Sequence, residues 1–299
     1  MAKLSLTIYG IPTDGGTSSG TEDITLTLGD EKKEGTFKKK MTVQKESSDG
    51  ESGSSTETVQ VSLSPNHFNY QQKLYQPDEF NVEIQLSATT SSSSSTVSFS
   101  KSDILELFED KKVSLTTCNS GDKDAYTVGN DFYVCEVTCK KSSDATYANL
   151  KICSPDKLMT KKQNCQVWTA KKLYSDILTG DDGELKNYTL PYDASKTVEV
   201  DTSNWKHLYS NTQEHIFPYL VQYNESFYDL LARTTNRWGE FMYYYDGKLH
   251  IGYDDDESNA KEISNYNTIT NCYSWKNNDI TSNPNVSLDM YWFIILKFF

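Results

Sequence analysis

Runs of alternating apolar and polar residues, separated by polar turns, fill the first 160 positions of the chain. Successive strand residues face opposite sides, so this period predicts half-buried β-strands. "KLSLTIYGI" puts Leu4, Leu6 and Ile8 on one face, and "EDITLTLGD" repeats the alternation with Ile24, Leu26 and Leu28. "TVQVSLS", "EFNVEIQLSA", "KVSLTTC", "DFYVCEVTC" and "YANLKICS" follow. Short strands at this spacing predict a barrel or sandwich. Two Ser-rich stretches, 45–57 and 87–98, lack the apolar surface to fold alone and read as long hairpin tips or surface loops. One helix interrupts the strands: Ser102 or Asp103 is placed to cap "DILELFED", with Ile104, Leu105 and Phe108 on one side.

From residue 161 the pattern changes. "TAKKLYSDILTGDDG" predicts a helix capped by Thr169, with Leu173, Ile177 and Leu178 inward and Gly180 ending it. Lys171 and Lys172 oppose the helix dipole near its start. The most informative segment is 216–253. "PYLVQY" predicts a strand, and Ser226 with Asp229 three residues on forms a capping box. Phe227, Leu230, Leu231, Thr234 and Trp238 then recur at the helical period, giving one buried stripe. Gly239 ends that helix. "EFMYYY" and "KLHIGY" flank Asp246-Gly247, a turn pair suited to a two-residue hairpin loop. On this reading Phe227, Leu231 and Trp238 fix the helix against the hairpin Phe241–Tyr253. Beyond Tyr253 come the acidic run Asp254–Glu257, Ser/Asn-rich sequence, and an abruptly apolar "DMYWFIILKFF". That last run is too short to span a bilayer. It reads as a β segment whose neighbours are missing.

Composition supports the β reading: 20 of the 299 residues are Tyr, which favours pleated, half-buried surfaces. A net charge of −13 argues against nucleic acid as a partner and against an anionic membrane surface. "MAKLSLTIYG" lacks a signal-peptide apolar core, so synthesis in the cytoplasm is expected, with the Asn-x-Ser/Thr matches at Asn187, Asn224 and Asn285 arising by chance.

The 216–253 segment resembles a signature of the VgrG family, the spike proteins of type VI secretion, and of related baseplate hubs of contractile-tailed phages (late control D-like proteins). The residues that carry the resemblance are Gln222, Tyr223, Glu225, Ser226, Phe227, Leu230, Arg233, Gly239, Phe241, Tyr243 to Tyr245, Gly247 and Lys248. Asp229, Leu231 and Trp238 complete the structural motif. Upstream, 147–178 is similar to the family's last strand of the first barrel and the helix after it. Downstream, 274–291 is similar to the start of the next barrel.

The resemblance implies a mainly β chain with an α+β insert: a tube-like first β-barrel (1–160), a smaller α/β connecting domain (161–255) and the beginning of a second barrel (256–299). It also implies a homotrimer that adapts a sixfold Hcp-like tube ring to a threefold spike. The implied partners are that tube protein, baseplate proteins, and a needle or effector. Assembly would take place in the cytoplasm, before delivery by the apparatus or incorporation in a virion tail. No Gly- and Val-rich needle repeats are present, so either a C-terminally truncated spike or a phage hub with its needle on a separate chain is expected.

Candidate chemistry is sparse, and no catalytic, cofactor or metal site is expected. Glu225 and Asp229 are one helical turn apart, but a cell-wall hydrolase needs two carboxylates facing across a cleft, and the capping box already accounts for Asp229. His67, His207, His215 and His250 show no zinc-protease spacing, and His250 reads as an exposed or half-buried strand residue. Cys118, Cys135, Cys139, Cys153, Cys165 and Cys272 contain no C-x-x-C pair and read as buried free thiols. The Asp254–Glu257 run lacks the EF-hand spacing and reads as a solvated turn. A carbohydrate-binding module is the remaining class. Tyr243 and Tyr245 share a face that could form an aromatic platform, but core packing plus a subunit contact accounts for it without a ligand.

Overall fold

The computed structural model describes residues 3–14, 20–28, 33–46, 52–71, 73–90, 95–118, 126–142, 145–210 and 213–253. The chain divides into two compact units. The first is Met1–Tyr70 with Phe80–Ile152, and the second is Gln71–Glu79 with the chain from Cys153 onward. The fold is mainly β, a nearly closed barrel sheet together with small α/β parts.

The first unit contains β1 (Lys3–Thr13), β2 (Gly20–Leu28), β3 (Gly35–Glu46), β4 (Ser52–Gln71), β5 (Glu79–Thr89), β6 (Ser95–Val97), α1 (Lys101–Phe108), β7 (Lys112–Cys118), β8 (Tyr126–Lys141) and β9 (Thr146–Cys153). These strands form one sheet in the order β2-β1-β7-β8-β9-β5-β4-β3-β6. The sheet curls until its ends approach. Thr27 bridges Lys33, the Asp14 amide donates to the Lys38 carbonyl at 2.9 Å, and a Cβ on Gly35 would lie 2.1 Å from Ile24 Cγ2. Glycine at 35 therefore lets β3 start against β2. β6 stays outside this closure and pairs with β3 at Val43–Val97.

Period-2 rows fill the interior as expected. Leu4, Leu6, Ile8, Val59, Val61, Leu63, Phe80, Val82, Ile84 and Leu86 are all buried. Each such side chain contributes about 1.5–3 kcal/mol. Phe80 meets Phe132 edge-on at 5.1 Å, an arrangement that suits the ring quadrupoles.

Several expectations for this unit are corrected. β3 was not foreseen: its inward row is Phe37, Lys39, Met41 and Val43, and the Lys38–Lys40 run hides the alternation. Lys39 is tolerated inside because its ammonium pairs with Glu106 of α1 at 3.0 Å. Part of the first Ser-rich stretch is strand, since Glu46 pairs with Ser52 and Gln44 with Ser54. The tip between them lies outside the described residues. Helix α1 is capped two residues before Ser102, by a Ser100–Asp103 capping box, and buries Ile104 and Phe108 as expected, with Leu107 in place of Leu105. Leu28, expected inward, is half-buried near the end of its strand. Cys139 and Cys165 are exposed and Cys135 half-buried, leaving Cys153 as the buried thiol among the described ones. Cys139 lies near the end of β8, where residues 138–142 are exposed. The Cys118 side chain, Cys272, Asn285, Asp254–Glu257 and the apolar end of the chain lie outside the described residues, as does the expected start of a second barrel.

The second unit contains β10 (Gln163–Lys172), β11 (Thr189–Leu190), β12 (Asp193–Thr197), β13 (Val200–Asp201), β14 (Tyr209–Ser210), β15 (Gln213–Glu214), β16 (Ile216–Ser226), α2 (Phe227–Arg237), β17 (Met242–Tyr245) and β18 (Lys248–Ile251). Short 3-10 turns cover Pro155–Thr160 and Glu184–Asn187. The helix expected from Thr169 is a correction: 163–172 is strand β10, paired antiparallel with β16, and only Leu173–Leu178 turns, as a π-helical segment. Strand pairing wins because Gln166, Val167, Trp168 and Thr169 find partners at Gln222, Val221, Leu220 and Tyr219. Leu173, Ile177 and Leu178 are buried as expected.

Candidate assembly surface

The 216–253 segment folds locally as its sequence dictates. At the end of β16 the Ser226 hydroxyl accepts the Asp229 amide at 3.1 Å, and the Asp229 carboxylate accepts the Ser226 amide at 3.4 Å. Two of the unsatisfied first-turn donors of α2 are thereby used. Phe227, Leu230, Leu231 and Thr234 are buried on the helix, together with Tyr228, which the stripe omitted. Phe227 stacks on Tyr188 with centroids 5.9 Å apart and lies 6.4 Å from Trp168. Gly239 follows with φ +76°, and Asp246 and Gly247, at φ +46° and +80°, make the hairpin turn between β17 and β18. Both signs suit a type I′ turn, which matches the twist of the flanking strands.

Trp238 corrects the expected stripe. The helix ends at Arg237, and Trp238 is its C-cap, with φ −92° and ψ 1°. Leaving the helical period turns its ring away from the stripe and onto His215, at 4.2 Å, and Phe217, at 5.8 Å. The ring is half-buried and packs on the β16 side, not on the hairpin.

The hairpin gains a third strand that the sequence did not reveal, β13, parallel to β18 through Val200–Leu249 and Asp201–His250. Tyr243 stacks on its cross-strand partner His250 at 5.2 Å, and Tyr244 is buried. Half-buried His250 contacts the Tyr245 carbonyl at 3.0 Å and Asp201 at 3.4 Å. Burial holds its pKa below the ordinary value, against the opposing pull of Asp201. Burial raises the Tyr243 phenol to about 12, with Asp201 adding to the effect. Tyr243 and Tyr245 therefore belong to a packed strand face around His250, not to an open platform.

Glu225 is engaged by Arg233, which reaches its two oxygens at 2.7 and 3.3 Å and also donates to the Val221 carbonyl at 2.8 Å. The hydrogen bonds that Arg233 donates to Glu225 raise the guanidinium pKa above its ordinary value. With Asp229 held in the capping box, neither carboxylate of this pair faces a partner across a cleft. Among the described residues no cluster of three or more His, Cys, Asp or Glu is arranged to hold a metal ion. No helix among them is long and apolar enough to cross a membrane.

Three buried or bridging carboxyls hold the short elements, and none was singled out from sequence. Glu240, fully buried, accepts the amides of Lys206 and Leu208 at 2.9 and 2.8 Å and that of His207. Glu214 accepts the amides of Tyr174 and Ser175, capping the π-helical turn. Asp156 contacts the Ser154 hydroxyl, which in turn accepts the Asp78 amide at 2.9 Å. Complete burial pushes the Asp156 carboxyl up to about 7. Burial, aided by Asp156 and Asp78, also raises the Tyr228 phenol beside it. Only the last of these left a trace in the sequence: Ser154-Pro155-Asp156 is a turn signature.

The outer face of the β10–β16 ribbon is the conspicuous surface. Val167, Ile216, Tyr219 and Tyr223 are 59, 54, 68 and 80 % exposed. Val167 pairs with Val221, Thr169 with Tyr219 and Cys165 with Tyr223, so Val167, Tyr219 and Tyr223 share one continuous strip, with Ile216, opposite Lys172, standing outside it. Asn224, bulged opposite the Asn164–Cys165 step with φ +48°, bends the ribbon next to Tyr223. A shallow groove of about 530 Å³ runs beside the strip between β16 and α2, lined by Tyr219, Arg233 and Trp238 among others. Apolar strips rimmed by polar residues mark interaction surfaces.

No protein-family model matches the sequence, and no curated protein is found similar to it. Among solved structures, the E. coli c3393 protein, described as a type VI secretion component structurally similar to T4 bacteriophage tail proteins, aligns with TM-score 0.40 and 8 % identity. That alignment covers 67 % of this chain and 50 % of that one. A 43 kDa tail protein of prophage MuSo2 from Shewanella oneidensis aligns with TM-score 0.38 and 11 % identity, over 65 % and 53 %. The lidded Francisella PdpA–VgrG complex aligns with TM-score 0.33 and 14 % identity, over 89 % and 30 %. The chain thus spans about half the length of the first two, and scores this low carry no argument about what it does.

Proposed function

We propose that this chain is a structural, non-enzymatic hub component of a contractile injection machine, of the type VI secretion spike or phage-tail baseplate kind. The observation that carries the reading is the 216–253 module. Its strand, capping box, helix, Gly239 and Asp-Gly hairpin run in the order that the VgrG-like resemblance implies. The chain would work by geometry: three copies closing a symmetric contact, a tube-like end matching a sixfold ring, and a docking end for a needle or effector. The exposed β10–β16 strip is the contact face between copies. Assembly in the cytoplasm precedes delivery. A hub whose needle sits on a separate polypeptide satisfies the same observation.

Light scattering coupled to size exclusion tests this. A concentration-dependent trimer is expected, and Tyr219→Ser with Tyr223→Ser should convert it to monomer without lowering the thermal midpoint. A wild-type chain that stays monomeric at every concentration, and fails to retain tube-ring protein on a column, would refute the hub reading.

A further inference from the structure

A second surface of the α/β unit has different chemistry. On the other face of the β10–β16 ribbon, a cavity of about 520 Å³ opens between β10, β16 and the Glu184–Asn187 turn. That volume lies within the range of small-molecule sites. Its walls are mostly polar, with carboxamides prominent among them and Leu158 contributing an apolar patch. Gln166 and Gln222 are cross-strand neighbours, and Asn187 faces them from the turn. Tyr188, whose ring lies against Phe227, adds an aromatic wall.

Each amide is half used. Gln222, only 2 % exposed, donates from Nε2 to the Glu225 carbonyl at 2.9 Å, leaving its oxygen without a partner among the described residues. The Gln166 oxygen accepts from Asn164 at 3.3 Å, and Asn187 donates to Glu184 at 3.1 Å. Among the described residues the Gln166 Nε2 and the Asn187 oxygen have no further partner. The cavity therefore presents two amide acceptors and one amide donor, beside the Lys161 and Lys162 ammoniums and the Glu184 carboxylate.

A hydroxyl group both donates and accepts, so a ligand rich in hydroxyls satisfies this mixture. A phosphate or other anion would meet Lys161 and Lys162 but would leave both amide oxygens unmatched, because it has no hydrogen to donate to them. An aromatic wall adds an apolar surface for the C–H face of a sugar ring. We propose that this cavity binds a neutral saccharide of one or two rings, with Gln166, Asn187 and Gln222 reading its hydroxyls and Tyr188 packing against a ring. The proposal does not depend on the hub reading, because the cavity and the exposed strip lie on opposite faces of the ribbon.

Isothermal titration of the full chain with maltose and with N,N′-diacetylchitobiose, and with inorganic phosphate as a control, tests it. Saturable, weak binding of at least one disaccharide is expected, reduced at least about tenfold in the Gln166→Ala/Asn187→Ala variant with its thermal midpoint unchanged. Preference for the chitobiose would assign the site to acetamido sugars, and preference for maltose to plain ones. Gln222→Glu supplies a second variant, expected to lose the sugar by placing an added charge in the cavity. The proposal is overturned if neither sugar saturates at tens of millimolar, if the double variant binds equally well, or if phosphate competes.

Discussion

The two units solve the same problem in different ways. In the barrel unit, long strands carry apolar residues at every second position, and burial of those rows closes the sheet without help from specific polar partners in most strands. In the α/β unit most elements other than β10, β16 and α2 are short, several of its strands having two residues. Such elements bury little apolar surface each, and carboxyls fix the chain between them. Glu240 gathers the 206–208 amides, Glu214 caps 173–178, and Asp156 with Ser154 ties in the Asp78 segment. The difference teaches that apolar burial tolerates small errors of shape, whereas a buried carboxyl tolerates none. Losing it leaves donors without water or partner.

The largest expected effect sharpens that contrast. Glu240→Ala should lower unfolding stability by about 3–5 kcal/mol, because the buried Leu208 amide and the partly buried Lys206 and His207 amides lose their acceptor. In the barrel, Ile84→Val should cost about 1 kcal/mol. Urea unfolding of the two variants measures both, and equal losses would erase the distinction.

Next comes pH. The folded pKa of Asp156, about 7, lies above the ordinary carboxylate value of 3.8 that it takes when unfolded. The native state then holds the proton more tightly, so its contribution is complete below about pH 4 and is lost as pH rises through 7. The loss should be about 2–4 kcal/mol across that window. Asp156→Asn should flatten the dependence. An Asp156→Asn profile that matches the wild-type profile from pH 4 to 7 would instead mean that Asp156 is ionised when folded.

The smallest expected contrast is the difference between two residues of one motif. Leu231→Ala, on the buried helix face, should cost about 2–5 kcal/mol. Trp238→Ala should cost only about 1–2 kcal/mol, because its ring is half-buried at the helix end. Chemical denaturation compares them directly, and a larger loss for Trp238 would put its ring in the core after all.

What the sequence alone determined was everything set by neighbours along the chain. The inward rows of β1, β4 and β5 follow from period 2. The Ser226–Asp229 cap and the Asp246-Gly247 turn follow from residues at most three apart, and so they stand where they were read. Tertiary structure decided what depends on distant partners. Residues 169–172 are helix-compatible but pair with β16, some fifty positions away. Lys39 sits inside because Glu106 meets it there, and Trp238 leaves the helical stripe for His215 and Phe217. Glu240 matters because of amides more than thirty residues upstream, and the half-used amides of Gln166, Asn187 and Gln222 converge only once two strands and a turn are brought together. Local pattern fixes periodicity and caps, whereas the partners of buried polar groups come from parts of the chain that only folding brings near.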